Sequence, residues 1–232
     1  MSGAAVIIGA AGGIGGALEE ALLDEGSFNR VHGFARSRTG AQHLDLGDEA
    51  SIAAAAAVVG SGLPITLLVI ATGILHEGAH GPEKALSELD PAWMARNFAV
   101  NAIGPALVLK HFLPLLPRTG SPVVAALSAR IGSIADNRLG GWTSYRASKA
   151  ALNMIVKNAA IEAKRHSSRS IVVALHPGTV DTPLSRPFNG NVAAGSLFDP
   201  GRAAVQLLDV IDGLKPTDSG GHFAWDGAPI AP

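Results

Sequence analysis

The chain has 232 residues, 47% hydrophobic and 16% charged, with no cysteine, which excludes a disulfide framework, a thiol nucleophile and a zinc–thiolate site. Eighteen basic against nineteen acidic residues leave a net charge of −1 without a basic tract, so charge offers no hold on nucleic acid or an anionic membrane. At this length one domain buries roughly 70–75% of its unfolded surface, enough for a core without staples.

In chain order, the first element is an apolar strand at residues 4–8, followed by the turn Gly9-Ala10-Ala11-Gly12-Gly13-Ile14-Gly15 and a helix through Glu25. Further short apolar runs at 31–35, 66–71, 123–127 and 171–175 read as strands buried on both faces. Residues 43–46 and 222–225 add expected edge strands. Asp48, Asp90 and Asp199 precede helical runs, the last two with proline at the first helical position. Residues 53–75 carry no charge, long enough to span a bilayer, but Gly60-Ser61-Gly62-Leu63-Pro64 divides them into a helix end, a turn and a strand. The first basic residue is Arg30, so no charged leader region is recognised, and a cytoplasmic protein without a membrane partner is expected. Strand–helix alternation predicts an α/β fold, a doubly wound, mostly parallel sheet with helices on both faces, as one domain over 1–232.

A strand, a glycine turn and a helix in succession form the context of a pyrophosphate site. The backbone turns tightly there and the helix N-terminus favours negative charge. Twenty residues after Gly15, where a fold preferring NAD presents an acid to the ribose, stands Ala35, followed by Arg36 and Arg38. Guanidinium groups suit a 2′-phosphate, so NADP(H) is the expected cofactor. Tyr145, the single tyrosine, is followed four residues later by Lys149, one turn along the same helix face. A neighbouring ammonium favours the phenolate, which makes the tyrosine an expected general acid for a carbonyl under reduction.

Together these residues resemble the short-chain dehydrogenase/reductase family, with its Rossmann-type fold. The turn containing Gly9, Gly12, Gly13, Ile14 and Gly15 matches the family's glycine element, with Ile8 where threonine is usual. Asp45-Leu46 matches the aspartate beside the adenine, and Asn101 the asparagine of the catalytic tetrad. Tyr145-Arg-Ala-Ser-Lys149 matches Tyr-x-x-x-Lys, and Pro177-Gly178-Thr-Val180-Asp-Thr182 the element beside the nicotinamide. The family's Asn-Asn-Ala-Gly is Ile70-Ala71-Thr72-Gly73 here, so only Gly73 carries over. Details such as Gly-Gly-Trp before Tyr145 look most like the C-factor and sniffer-type carbonyl reductases.

The resemblance implies hydride transfer between NADP(H) and a small carbonyl or alcohol substrate, in a homodimer or homotetramer. Tyr145 would handle the proton, Lys149 would hold the ribose, and Asn101 would anchor a water in a relay to Lys149. Two counts compete for the carbonyl-polarising serine. Counting along the strand gives Ser128, the preferred position; counting back from Gly132 places Ala129 there and leaves Ser133 as a substitute. Residues 183–198, with Leu184, Phe188, Leu197 and Phe198, read as an apolar lid. His76 and His80 have a ligand-like spacing without an evident third ligand, so no metal site is expected. The rival reading from another class is an NADP(H)-binding redox sensor or signalling protein without turnover.

Overall fold

A computed structural model describes residues 3–191, 193 and 195–232. Six parallel strands form the main sheet: β1 (Ala4–Ile8), β2 (Arg30–Phe34), β3 (Ile65–Ile70), β4 (Val123–Leu127), β5 (Ile171–His176) and, last in the chain, β8 (His222–Ala224). Their order is β2-β1-β3-β4-β5-β8. A separate parallel pair, β6 (Thr179–Val180) and β7 (Leu197–Phe198), lies beyond the end of β5. Because the chain leaves β1 first to one side and then to the other, the crevice between the carboxyl ends of β1 and β3 is the topological switch point, where open sheets of this kind bind ligands.

Period-two alternation explains why the central strands β1, β3, β4 and β5 are apolar at nearly every position, Thr66 and His176 excepted. Val6, Ile8, Leu68, Ile70, Val124, Ala126, Val172 and Ala174 pack under α2 (Glu49–Gly60), α4 (Gly104–Phe112) and α5 (Thr143–His166). The intervening Ala5, Ile7, Leu67, Val69, Ala125, Leu127, Val173 and Leu175 pack under α1 (Gly13–Glu25) and α6 (Pro200–Gly213). Both faces are covered, so a polar residue at any of these positions would be buried without water.

The helix starts follow the expected chemistry. Asp48, Asp90 and Asp199 each accept a hydrogen bond from a backbone N–H in the following turn. α1 ends at Gly26 in the left-handed region, and α2 ends at Gly60, which separates it from β3 as expected. α3 (Pro91–Phe98) runs into a π turn at Ala99–Ile103 and on into α4. By length and composition the stretch Pro91–Leu115 could cross a membrane; here Trp93, Asn101, Val108 and Phe112 bury its inner side.

Two strand expectations change. Residues 43–46 are not a strand: a 3₁₀ turn at Gly40–Gln42 leaves only one bridge, between Ala35 and His43. The last strand stops at Ala224, because Ala224 and Gly227 close a turn.

Candidate active site

The glycine turn is compact because two of its positions admit no side chain. Gly9 has φ +96°, and a Cβ there would lie 2.8 Å from the carbonyl oxygen of Ala71. A Cβ on Gly15 would lie 2.2 Å from the Gly9 carbonyl oxygen. α1 then opens at Gly13 with no side-chain cap and no acid in its first turn, so its N–H groups are left for a ligand.

Three cavities run in series along the carboxyl ends of the strands. The first, about 390 Å³, is walled by Gly9, Gly12, Arg36, Ser37, Asp45 and Leu46. Arg36 makes no ion pair among the described residues and reaches this cavity. Arg38 does not, contrary to expectation. Its guanidinium forms a two-pronged ion pair with Glu19 of α1 and donates to the Gly33 carbonyl at 2.8 Å. A carboxylate already in place on the adjacent helix is a stronger attraction than open solvent. The Asp45 carboxylate accepts from Gly47 N–H at 2.9 Å.

The second cavity, about 380 Å³, shares Gly12, Thr72 and Gly73 with the first and adds Gly13, Ile14, Ser128, Tyr145, Lys149, Pro177 and Thr182. The third, about 670 Å³, shares Ile14, Ser128, Tyr145, Pro177 and Thr182 with the second, and adds Gly178 and Val180. Among the described residues Thr72 Oγ1 is buried with no hydrogen-bond partner, although it sits in the wall of the first two cavities. An uncapped helix N-terminus, an unpaired arginine and an orphaned hydroxyl fit a dinucleotide laid across the switch point.

α5 carries Tyr145 and Lys149 one turn apart, both almost fully buried. Lys149 Nζ donates to the Leu127 carbonyl at 2.9 Å and lies 5.9 Å from the centre of the Tyr145 ring. Burial lowers the Lys149 pKa to about 8 and raises that of the Tyr145 phenol. The expected lowering of the tyrosine by the ammonium is therefore absent. Desolvation outweighs it, and the phenol is held in its neutral, proton-bearing form.

Asn101 lies in the π turn and is fully buried. Its amide accepts from Ile74 N–H at 2.8 Å and donates to the Ile74 carbonyl at 2.9 Å and to Ser148 Oγ at 3.1 Å. Ser148 in turn donates to the Tyr145 carbonyl at 2.8 Å. The side chain thus ties the loop after β3 to α5 between Tyr145 and Lys149.

Ser128 directly follows β4, lines both the second and third cavities with Tyr145, and donates to Asn153 Oδ1 at 2.6 Å. Ser133 lines neither. Its hydroxyl accepts from Asp136 N–H at 3.1 Å and donates to the Pro232 carbonyl at 3.3 Å.

Several contributors carried no sequence signal of their own. Glu83 is buried, accepts from Ser144 N–H at 3.2 Å and from the Ser144 hydroxyl, and so anchors the start of α5. Trp142, just before α5, has φ +53°, a strained conformation for a bulky residue, with its N–H bonded to the Glu83 carbonyl. Its ring meets Tyr145 at 6.5 Å and Phe188 at 5.2 Å, edge to face. The flanking Gly-Gly could have marked that turn.

The segment expected as a lid divides in two. Leu184 and Phe188 wall the third cavity, and His76 bonds to the Pro183 carbonyl at 3.0 Å. Leu197 and Phe198 instead form β7, with Phe198 packed on Trp225. Val192 and Ala194 lie outside the described residues. Among the described residues no group of three or more His, Asp or Glu side chains could hold a metal.

The family model for short chain dehydrogenases matches residues 3–192. C-signal of Myxococcus xanthus is 38% identical over 157 residues, which cover 68% of this chain and 89% of that protein. The 1-hydroxy-2-glutathionyl-2-methyl-3-butene dehydrogenase of Rhodococcus sp. (strain AD45) is 35% identical over 142 residues, covering 61% of this chain and 60% of that protein. In structure, the carbonyl reductase Sniffer of D. melanogaster superimposes with a TM-score of 0.79 over 100% of both chains at 23% identity. The NADPH-bound carbonyl reductase from chicken fatty liver gives 0.78 over 98% of this chain and 93% of that one, at 28% identity. The chain belongs to the short chain dehydrogenase family of oxidoreductases.

Proposed function

We propose that this protein is an NADP(H)-dependent oxidoreductase that interconverts a carbonyl and an alcohol, with Tyr145 as general acid and base. The observation that carries the reading is the shared wall. Tyr145 and Ser128 border both the cavity that continues to the glycine turn and the larger one beyond it. A hydride donor on one side and a carbonyl on the other would meet at these two hydroxyls. The similar chicken reductase is an NADPH-bound structure, which supports the cofactor choice alongside Ala35 and the unpaired Arg36.

The α1 N-terminus and the Gly9–Gly15 turn would hold the pyrophosphate, Arg36 the 2′-phosphate, Asp45 and Leu46 the adenine, and Gly73, Pro177 and Thr182 the nicotinamide end. When bound, the cofactor supplies or accepts a hydride. Each remaining step belongs to the chain. Tyr145, neutral through burial, gives its proton to the carbonyl oxygen as negative charge develops there. Ser128 donates a second hydrogen bond to that oxygen once its proton leaves Asn153. Lys149, fixed by Leu127, presents positive charge beside the phenolate that remains and holds the ribose. The Asn101 amide is engaged by Ile74 and Ser148, so a relay water anchored at this residue takes its main-chain carbonyl. The π turn favours this, because widening from i+4 to i+5 pairing disturbs the ladder there.

The test is NADPH oxidation over a panel of aldehydes and ketones, repeated with NADH. Turnover of at least one carbonyl with NADPH preferred is expected. Tight cofactor binding without turnover of any carbonyl or alcohol would favour the sensor reading.

A further inference from the structure

The third cavity is mostly apolar where Trp142, Leu184 and Phe188 face it, yet its remaining wall holds three arginines against one aspartate. The whole chain carries a net charge of −1, so this local excess is not background. Arg130 and Asp136 pair at 3.0 Å and neutralise one another. Arg138 and Arg146 have no carboxylate partner among the described residues.

Arg146 is the informative one. It follows Tyr145 in α5 and is partly buried, with Nε donating to the Gly141 carbonyl at 2.9 Å and Nη1 to the Ile131 carbonyl at 3.4 Å. Two backbone carbonyls hold the plane of the guanidinium without cancelling its charge. Desolvation lowers its pKa, which reflects a cation short of a counter-charge. The first turn of α5 adds no acid, and Glu83, the carboxylate at this helix end, is bonded to Ser144 outside the cavity wall. A guanidinium fixed in this way can take an oxyanion through its remaining N–H groups.

We propose that the substrate is an anionic carbonyl compound, an apolar or aromatic body bearing a carboxylate or comparable oxyanion that Arg146 binds and Arg138 assists. This rests on the reductase reading above and specifies the substrate class of that same site. Net positive charge in a cleft with low-dielectric walls raises the local concentration of such a substrate, and added salt removes that advantage.

The test uses the full chain with NADPH and two acid–ester pairs, 4-carboxybenzaldehyde and 3-carboxybenzaldehyde, each with its methyl ester. Within a pair the ring and reacting carbonyl are the same and only the anion differs. Wild type should favour at least one acid by about tenfold or more in kcat/KM, mainly through KM, and 0.5 M KCl should shrink that preference. Arg146→Gln should abolish the preference and Arg146→Lys should restore part of it. Because Arg146 also holds two loop carbonyls, Arg138→Gln, at an exposed position, serves as a second variant and should reduce the preference severalfold. Equal kcat/KM for acid and ester in both pairs, or a preference untouched by salt and by both variants, would overturn the proposal while leaving the reductase reading intact. Calorimetric titration with terephthalate, an unreactive dianion, separates the opposite case. Binding that weakens in Arg146→Gln, with no carbonyl reduced, would support the anion site and sink the reductase reading.

Discussion

Ser128 Oγ donates a 2.6 Å hydrogen bond to Oδ1 of Asn153, which stands one helical turn beyond Lys149 on α5. A hydroxyl has one proton, so Ser128 cannot polarise a carbonyl while Asn153 holds it. Rotating the amide would let Nδ2 donate to Ser128 instead and free that proton for the substrate oxygen. Ser128→Ala should therefore lower kcat by about 10²-fold, the scale of a lost oxyanion donor. Ser133→Ala should leave kcat within about twofold, since Ser133 faces Asp136 and Pro232. Asn153→Asp can only accept, so it should reduce kcat more than it raises KM. Steady-state kinetics of the three variants decide between the serines, and a larger effect at Ser133 would reverse the assignment.

Tyr145→Phe removes the proposed proton donor while keeping the ring that packs against Trp142. kcat should fall by about 10² or more, the usual contribution of general acid–base catalysis, with cofactor affinity changed little. Fluorescence titration with NADPH beside single-turnover kinetics checks both halves. A variant retaining most of its activity would move the proton donor elsewhere.

The strands and the pairing of Tyr145 with Lys149 were legible for physical reasons. A strand packed under helices on both faces has to be apolar on both, which is how β1 and β4 read throughout, and β3 and β5 everywhere except Thr66 and His176. Tyr145 and Lys149 announce themselves because four residues make one helical turn. Arg38 misled because Glu19, its partner, belongs to a different element, and nothing local distinguishes a solvated arginine from a paired one. Asn153 and Glu83 act through contacts that only the packing of α5 creates. The π turn at Asn101 has no residue signature, since any helix former accepts one i+5 pair. The tyrosine pKa expectation went the wrong way because it counted the ammonium and left out burial.

Of the two arginines expected at the 2′-phosphate, only Arg36 reaches the cavity. Arg36→Asp places a like charge where the 2′-phosphate is proposed to sit, so Kd for NADP should rise about 10- to 100-fold while that for NAD holds or falls. Arg38→Ala should behave differently. It breaks the ion pair with Glu19 and the bond to the Gly33 carbonyl, so about 1 kcal/mol of stability should go, with NADP affinity little changed. Calorimetric binding beside thermal denaturation separates the two arginines, and a larger loss of NADP affinity in the Arg38 variant would return that residue to the cofactor site.

Lys149, in its proposed role, sets stability against activity. Its pKa falls from 10.5 to about 8 on folding, so the unfolded chain binds the extra proton between these values and stability rises with pH across that window. Below about pH 8 the buried ammonium burdens the fold in full; above 10.5 the burden is gone. A shift of this size corresponds to about 3 kcal/mol, partly offset by the bond to Leu127. Lys149→Met keeps the volume and removes the charge. It should raise the melting temperature of the cofactor-free protein at pH 7 while lowering kcat by about 10² or more. The advantage over wild type should shrink as pH is raised from 8 to 10, because wild-type Lys149 becomes neutral over that range. Taking the difference between variant and wild type at each pH removes other groups, including Tyr145, whose raised pKa acts above pH 10. A variant less stable than wild type at pH 7 would mean that the Leu127 hydrogen bond outweighs the desolvation of the ammonium, and a difference that does not change with pH would mean that folding does not lower the Lys149 pKa.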